Sequence, residues 1–223
     1  MALWDKSMWG QKTVRRLCTT LRRDRKGVVA IEFAIVGPAF IALLLGILYT
    51  MSIYLAQQML ETAAQSAGRL LLTGAVQTSK MANGNVGMSA SDFKNAICNG
   101  ASGKDANGQA FTIPVLLPSM LTCSRLTVNV TNATSYNVNN SAAPTFTYDS
   151  KGVLTSTGSG YNYQSNGDGT NRIVILQLIY LWPTGRGPLG LNLINQPNGN
   201  RMIVATSVFT TEKYACNSAQ SSC

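Results

Sequence analysis

A single acidic side chain in a long apolar run is where residue type and spacing in this sequence point to chemistry. Glu32 is the only charged residue in residues 28–56, and it follows a basic stretch, Arg22-Arg23-Asp24-Arg25-Lys26, and one glycine, Gly27. A carboxylate held in lipid costs several kcal/mol in most accounts. Two readings fit it. Glu32 is the fifth residue after Gly27, close enough to the basic flank to sit solvated among headgroups. Alternatively it pairs with a cation once chains assemble. The two can hold in succession, solvated first and paired later.

The rest of the sequence offers little that could catalyse a reaction. There is no histidine, which removes Ser-His-Asp and Cys-His catalysis as usually built, together with the commonest metal ligand. No phosphate-binding glycine loop and no interpretable pair of catalytic acids is present. Residues 165–171 carry one acid, Asp168, where a calcium loop needs several and a terminal glutamate, so they read as an Asn/Gly turn. The expectation is a protein that is not an enzyme, with no catalytic residue, no metal site and no cofactor.

Of the five cysteines, Cys18 lies in the basic leader, and Cys98, Cys123, Cys216 and Cys223 lie beyond the apolar run. No two are spaced as zinc-binding pairs are, two to four residues apart. An even number on the far side suits an oxidising compartment and two disulfides. Four cysteines allow three pairings, and proximity alone prefers Cys98–Cys123 and Cys216–Cys223. The first would close a loop of about 26 residues, worth roughly 3–4 kcal/mol in the chain-entropy account.

These residues need elements to position them. Residues 33–55 supply the roughly 20 apolar residues that a helix needs to cross a bilayer. The run is too long for a signal-peptide core and continues into more helix, so it reads as a retained anchor. The first 27 residues hold eight Lys/Arg and two Asp, and the remaining 196 hold ten and seven. The high pI is therefore mostly a property of the leader. A basic flank beside a span keeps that end in the cytoplasm, and this reading is preferred to nucleic-acid binding. Trp4 and Trp9 suit the cytoplasmic interface. Gly37-Pro38 predicts a kink or an unwound stretch within the span. Ala42 and Gly46 offer a small-residue face for helix contact.

The helix is expected to continue past the lipid. Leu60, Ala63, Ala64, Ala67 and Leu71 fall on one stripe, and Gln58, Glu61, Gln65 and Arg69 fall on the other side. Thr73-Gly74 is the expected stop. Such a helix is about 70 Å long, over twice the hydrocarbon thickness, so its second half lies in the periplasm. The stripe is expected to pack on the chain's own sheet, because a small domain needs that core. Beyond it, residues 77–87 and 99–108 read as loops. Ser91 followed by Asp92-Phe93-Lys94-Asn95-Ala96-Ile97-Cys98 reads as a short capped helix. Strands are expected at residues 126–130, 145–148, 173–182 and 202–209, with long Asn/Gly-bearing connections at 158–171 and 184–200. Tyr161, Tyr163 and Trp182 read as core or loop anchors rather than as a binding patch. The fold class is α+β: a long N-terminal transmembrane and spine helix on a small antiparallel sheet. The organisation is a cytoplasmic leader at 1–27, a transmembrane part at 28–56 and a periplasmic helix continuation plus domain at 57–223.

Lys26-Gly27 followed by Val28-Val29-Ala30-Ile31-Glu32-Phe33 resembles a prepilin peptidase site of the type IV pilin superfamily. In that class cleavage follows the glycine, and glutamate stands fifth in the mature chain. Phe33 after Glu32 is similar to Tad/Flp-type pilins. The stretch GVVAIEFAIVGPAFIALLLGILYTMSIYLAQQMLETAAQSAGRLLLTG resembles the N-terminal region of TadE-like pseudopilins. Those share an acidic-aromatic pair, a nearby proline, a leucine-rich core and an alanine-rich helix with an arginine. Here these are Glu32-Phe33, Pro38, the leucines from Leu43 to Leu48, and the run from Ala63 to Arg69. The resemblance is good over residues 25–74 and loose beyond, through Phe93-Lys94-Asn95-Ala96-Ile97-Cys98, Cys123 and the last strand. Where the family often ends that strand with an Asn-Glu-Pro-aromatic turn, this chain has Thr211-Glu212-Lys213-Tyr214.

The resemblance implies a pilin-like fold and a minor pseudopilin of a Tad/Flp pilus, acting in pilus assembly or priming and so in adhesion and surface attachment. It implies processing between Gly27 and Val28 and an assembly role for Glu32. The implied partners are a prepilin peptidase, other pilin and pseudopilin subunits, the inner-membrane assembly platform and the bilayer. The implied location is the inner membrane, single-pass, with the C-terminal domain periplasmic. One rival is an unprocessed single-pass anchor whose periplasmic domain binds a ligand or envelope component. Another, opposed by the missing histidine, is a tethered periplasmic hydrolase.

Overall fold

A computed structural model of the chain describes residues 27–80, 86–105, 107–133, 144–161 and 173–210. The chain divides into two compact units, Met1–Leu48 and Tyr49–Cys223, and one 45-residue helix, α1 (Val28–Leu72), contributes to both. In the first unit α1 is apolar on every side. Its large side chains stand exposed, Phe33 at 73%. A helix of this kind needs an apolar surrounding, and α1 is long and apolar enough to cross a membrane.

The unwound stretch expected at Pro38 is not there: α1 runs through it as continuous helix. Proline removes one N–H from the ladder, and its ring ordinarily clashes with the Cβ of the residue before it. That residue is Gly37, which has no Cβ. The ring of Phe33, one turn earlier, fills the vacated space, 3.5 Å from where a Gly37 Cβ would lie.

In the second unit α1 becomes amphipathic. Ile53, Ala56, Leu60, Ala63, Ala64, Ala67 and Leu71 are buried, at the i, i+3, i+4, i+7 spacing of a single face. Gln58, Gln65 and Arg69 are exposed. The helix ends where expected, at a left-handed Gly74 with φ 74°.

The sheet beneath that face has order β4-β7-β8, all antiparallel: β4 (Leu126–Ala133), β7 (Ile173–Trp182) and β8 (Arg201–Thr210). Side chains alternate across a sheet, and register settles which ones meet α1. Leu126, Tyr180 and Ile203 lie opposite one another, as do Val130 and Leu176. All join the core that contains Leu60 and Ala64. β7 is the central strand and nine of its ten residues are buried, so it reads as an unbroken apolar run. Its second face carries a small apolar cluster, Ala133, Ile173 and Ile175, and a buried amide pair, Asn129 Nδ2 to Gln177 Oε1 at 2.9 Å. Gly160 N–H donates to Asn129 Oδ1 at 2.7 Å, which anchors the chain beside β4.

The two expected loops contain structure. Residues 77–87 hold part of a helical turn, α2 (Ala75–Thr78), and a short strand, β1 (Ser79–Lys80). Residues 99–108 hold β2 (Ala101–Asp105), which pairs with β1 and with β3 (Ala110–Ile113) in a second antiparallel sheet. The capped helix is α3 (Ala90–Asn99), and its cap is Ser89 rather than Ser91. Asp92 must stand at the third helical position for a reciprocal box. There Ser89 Oγ accepts from Asp92 N at 3.2 Å, and the Asp92 carboxylate accepts from Ser89 N at 3.2 Å. The remaining pair, β5 (Thr147–Tyr148) and β6 (Leu154–Ser156), forms a small hairpin.

Candidate functional site

Gly27, Val28, Glu32, Phe33 and Pro38 all lie on the first three turns of α1 or immediately before it. Among the described residues the α-helix runs from Val28, the residue after Gly27. An α-helix leaves its first four N–H groups unsatisfied and carries partial positive charge at that end. Here no acidic side chain occupies the first turn, and Glu32 comes one turn later. Glu32, Phe33 and Pro38 are all exposed. The next cation along the chain after Gly27 is Arg69, far beyond reach along the same helix. Among the described residues, therefore, α1 offers Glu32 no cation within reach.

The arrangement has a definite chemical capacity. Hydrolysis of the Gly27–Val28 bond would expose an α-amine at the first residue of α1, one turn from the level of Glu32. An amine and a carboxylate one turn apart on parallel helices can pair between neighbouring chains with a fixed stagger. Among the described residues, no group of three metal-ligating side chains comes together.

The second constellation is the cystine. Cys98, at the end of α3, is bonded to Cys123, S–S 2.02 Å and Cα–Cα 5.7 Å. This is the pairing that proximity preferred. It ties α3 to the start of β4. Leu116 N and Leu117 N both donate to Ile97 O, at 3.0 and 2.9 Å, so the chain between the cysteines is held to the same helix end. Cys216 and Cys223 lie outside the described residues, as do Cys18, Trp4, Trp9, Tyr163, the 165–171 turn and the 211–214 turn. Tyr161 is a loop anchor: its hydroxyl donates to Met88 O at 3.2 Å, and its ring lies 6.0 Å from that of Phe93. Trp182 packs against the core.

Three residues that sequence reasoning passed over position α1. A Cβ on Gly68 would lie 2.8 Å from Ser207 Oγ, so glycine lets the helix lie close on β8. Its place among Ala63, Ala64 and Ala67 was the available signal. Tyr49 and Gly187 fix the loop that follows β7: Tyr49 Oη donates to Gly185 O at 2.8 Å, and a Cβ on Gly187 would lie 3.2 Å from the Tyr49 ring.

Residues 27–69 match the family model of TadE, described as TadE-like protein. The match starts at Gly27 and runs along α1 almost to its end. By class, then, this is a helix-led protein whose N-terminal segment is TadE-like. The match covers 43 of the chain's 223 residues, so it is a likeness of this segment. No curated protein and no solved structure matches the chain.

Proposed function

We propose that this chain is a minor pseudopilin of a Tad/Flp-type pilus and not an enzyme. A prepilin peptidase cleaves after Gly27 in the inner membrane. The leader, with its excess of positive charge, stays on the cytoplasmic side before cleavage, and the sheet-bearing unit lies in the periplasm. The mature chain then leaves the bilayer by moving α1 into a bundle of like helices on the assembly platform, where it takes part in pilus assembly or priming and so in surface attachment. Glu32 of one subunit pairs with the Val28 amine of its neighbour. In a low-dielectric bundle an unpaired partner is strongly penalised, so the pair fixes register. The observation that supports this reading most is the coincidence at Gly27 of the end of a basic flank and the start of the TadE-like match.

The first experiment is the N-terminal sequence and intact mass of the protein from membranes, with and without co-expressed prepilin peptidase. A chain beginning at Val28 only when the peptidase is present is expected. A chain beginning at Met1 or Ala2 in both samples would favour the permanently anchored envelope protein. Glu32→Ala then isolates the pairing step. Cleavage should be unchanged, while subunit recovered in sheared pili falls about a hundredfold, the scale of a broken buried pair. Normal piliation with Glu32→Ala would remove the pairing from the mechanism.

A further inference from the structure

The loop after β7, residues 183–200, lies against the first turn of α1 in the second unit. Tyr49 Oη holds Gly185 O at 2.8 Å. Gly187 fits against the Tyr49 ring with no room for a Cβ, and Gly187 N donates to Leu191 O at 2.8 Å. Arg201 Nη1 donates to Leu193 O at 3.1 Å and secures the far end. Between these anchors Gly185, Arg186 and Gly190 are exposed. Arg186 is the only charged residue in residues 183–200.

The helix beside this loop is still apolar on its open side. Met51, Tyr54 and Leu55 are 62%, 67% and 47% exposed, and no charge follows Glu32 before Glu61. Leu55 stands about 9 Å beyond Tyr49 along the axis at the usual helical rise. An apolar surface reaching past the loop calls for an apolar or interfacial cover at the level of the loop itself. The loop backbone is irregular, and irregular backbone open to lipid does not occur in hydrocarbon. Both conditions hold together only if the hydrocarbon ends near Tyr49 and the headgroup layer covers residues 51–55. That layer adds about 5–8 Å on each side of the core. Tyrosine is the residue type enriched there.

We infer that residues 185–190 are a membrane-surface contact, seated in the outer headgroup layer with the Arg186 guanidinium on lipid phosphate, and that this contact stops α1 from sinking deeper. The partner is an anionic or zwitterionic phospholipid. Guanidinium matches phosphate through paired N–H donors, and the loop has no acid to oppose it. The inference rests on reading α1 as a membrane span, and its test separates the two.

The full chain is placed in vesicles of phosphatidylethanolamine and phosphatidylglycerol with the photo-crosslinker p-benzoylphenylalanine at one of three positions. These are Gly185, where a Cβ meets nothing within 4 Å, Leu44 in the span, and exposed Val153 as a water-side control. Lipid adducts by intact mass are expected from 185 and 44, with 153 at background. Arg186→Glu should lower the 185 adduct about fivefold, the scale of one surface charge at an anionic membrane, and leave the 44 adduct unchanged. Lipid adducts from 44 with none from 185, or with protein adducts alone from 185, would overturn the loop contact and leave the span standing. No lipid adduct from 44 would overturn both. A 185 adduct insensitive to Arg186→Glu would overturn the role of the guanidinium.

Discussion

Residues 28–48 and residues 49–72 of α1 share one helical geometry and have nearly opposite surroundings. In the first stretch apolar side chains stand exposed on all sides; in the second one apolar face is buried, and past Leu55 the open side turns largely polar. Size differs too. The buried face of the second stretch is built largely from Ala56, Ala63, Ala64 and Ala67, which bring the helix axis close to β7 and β8. The first stretch is Leu- and Ile-rich. A helix that has found its partner can use small residues. A helix with no such face in its own chain keeps bulk all round.

The strongest way to break this contrast is to make the same substitution in both stretches. Leu60 is fully buried and Leu48 is 61% exposed. Leu60→Ala should cost about 2–5 kcal/mol, as cavity-forming core changes do. Leu48→Ala should stay within about 0.5 kcal/mol. Urea unfolding of the detergent-solubilised chain, followed by circular dichroism, measures both. Equal losses would mean that Leu48 has a protein partner within the chain and that the first stretch is core.

Next in size is the cystine, which belongs to the second unit alone. Opening it should remove about 3–4 kcal/mol on the chain-entropy account, lowering the urea midpoint of that unit. Extraction of the protein from membranes by alkaline carbonate should be unchanged, because nothing in residues 28–48 depends on Cys98 or Cys123. Release from the membrane on reduction would break the division of labour. The double change Cys98→Ser with Cys123→Ser should reproduce the reduced behaviour.

What was legible in the sequence follows the same division. The stripe from Leu60 to Leu71 could be read because helical burial repeats along one segment. β7 could be read because a strand covered on both faces is continuously apolar. The sheet β1-β2-β3 could not be read. Ser102, Gly103 and Lys104 are exposed, so they show no alternation, and β2 is a strand because of what pairs with it. The one local signal was at its turn. Asp105 Oδ1 accepts from Asn107 N at 2.9 Å and from Gln109 N at 2.7 Å, and Gly108 takes φ 81°. Asp, Asn and Gly at those places are hairpin-turn residues. Ser89 as the cap of α3 was also written locally, three residues before Asp92. At the site, Gly27, Glu32 and Pro38 announce themselves by type, whereas Tyr49 and Gly187 gain their role from each other across most of the chain. A pairing of that kind is set by tertiary packing and leaves no mark on either neighbourhood.

The finest test uses two glycines of α1. Replacing a glycine in a helix with alanine ordinarily gains up to about 1 kcal/mol by restricting the unfolded chain. At Gly46 a new Cβ meets nothing within 4 Å, so Gly46→Ala should show that gain in the isolated chain. At Gly68 the new Cβ would lie 2.8 Å from Ser207 Oγ and 3.3 Å from the Phe209 ring. Overpacking of this kind costs about 1–3 kcal/mol and should outweigh the helical gain, so Gly68→Ala lowers the urea midpoint. Because the nearest atom is a hydroxyl, Ser207→Ala in the same chain should recover part of the loss, a coupling expected only of residues in contact. If Gly68→Ala were neutral, the helix would not lie as close on β8 as the sheet geometry requires. If Gly46→Ala raised stability yet lowered the yield of sheared pili, the open side of Gly46 would be a contact that exists only between assembled subunits. The two halves of α1 would then differ in when they find their partner rather than in whether they have one.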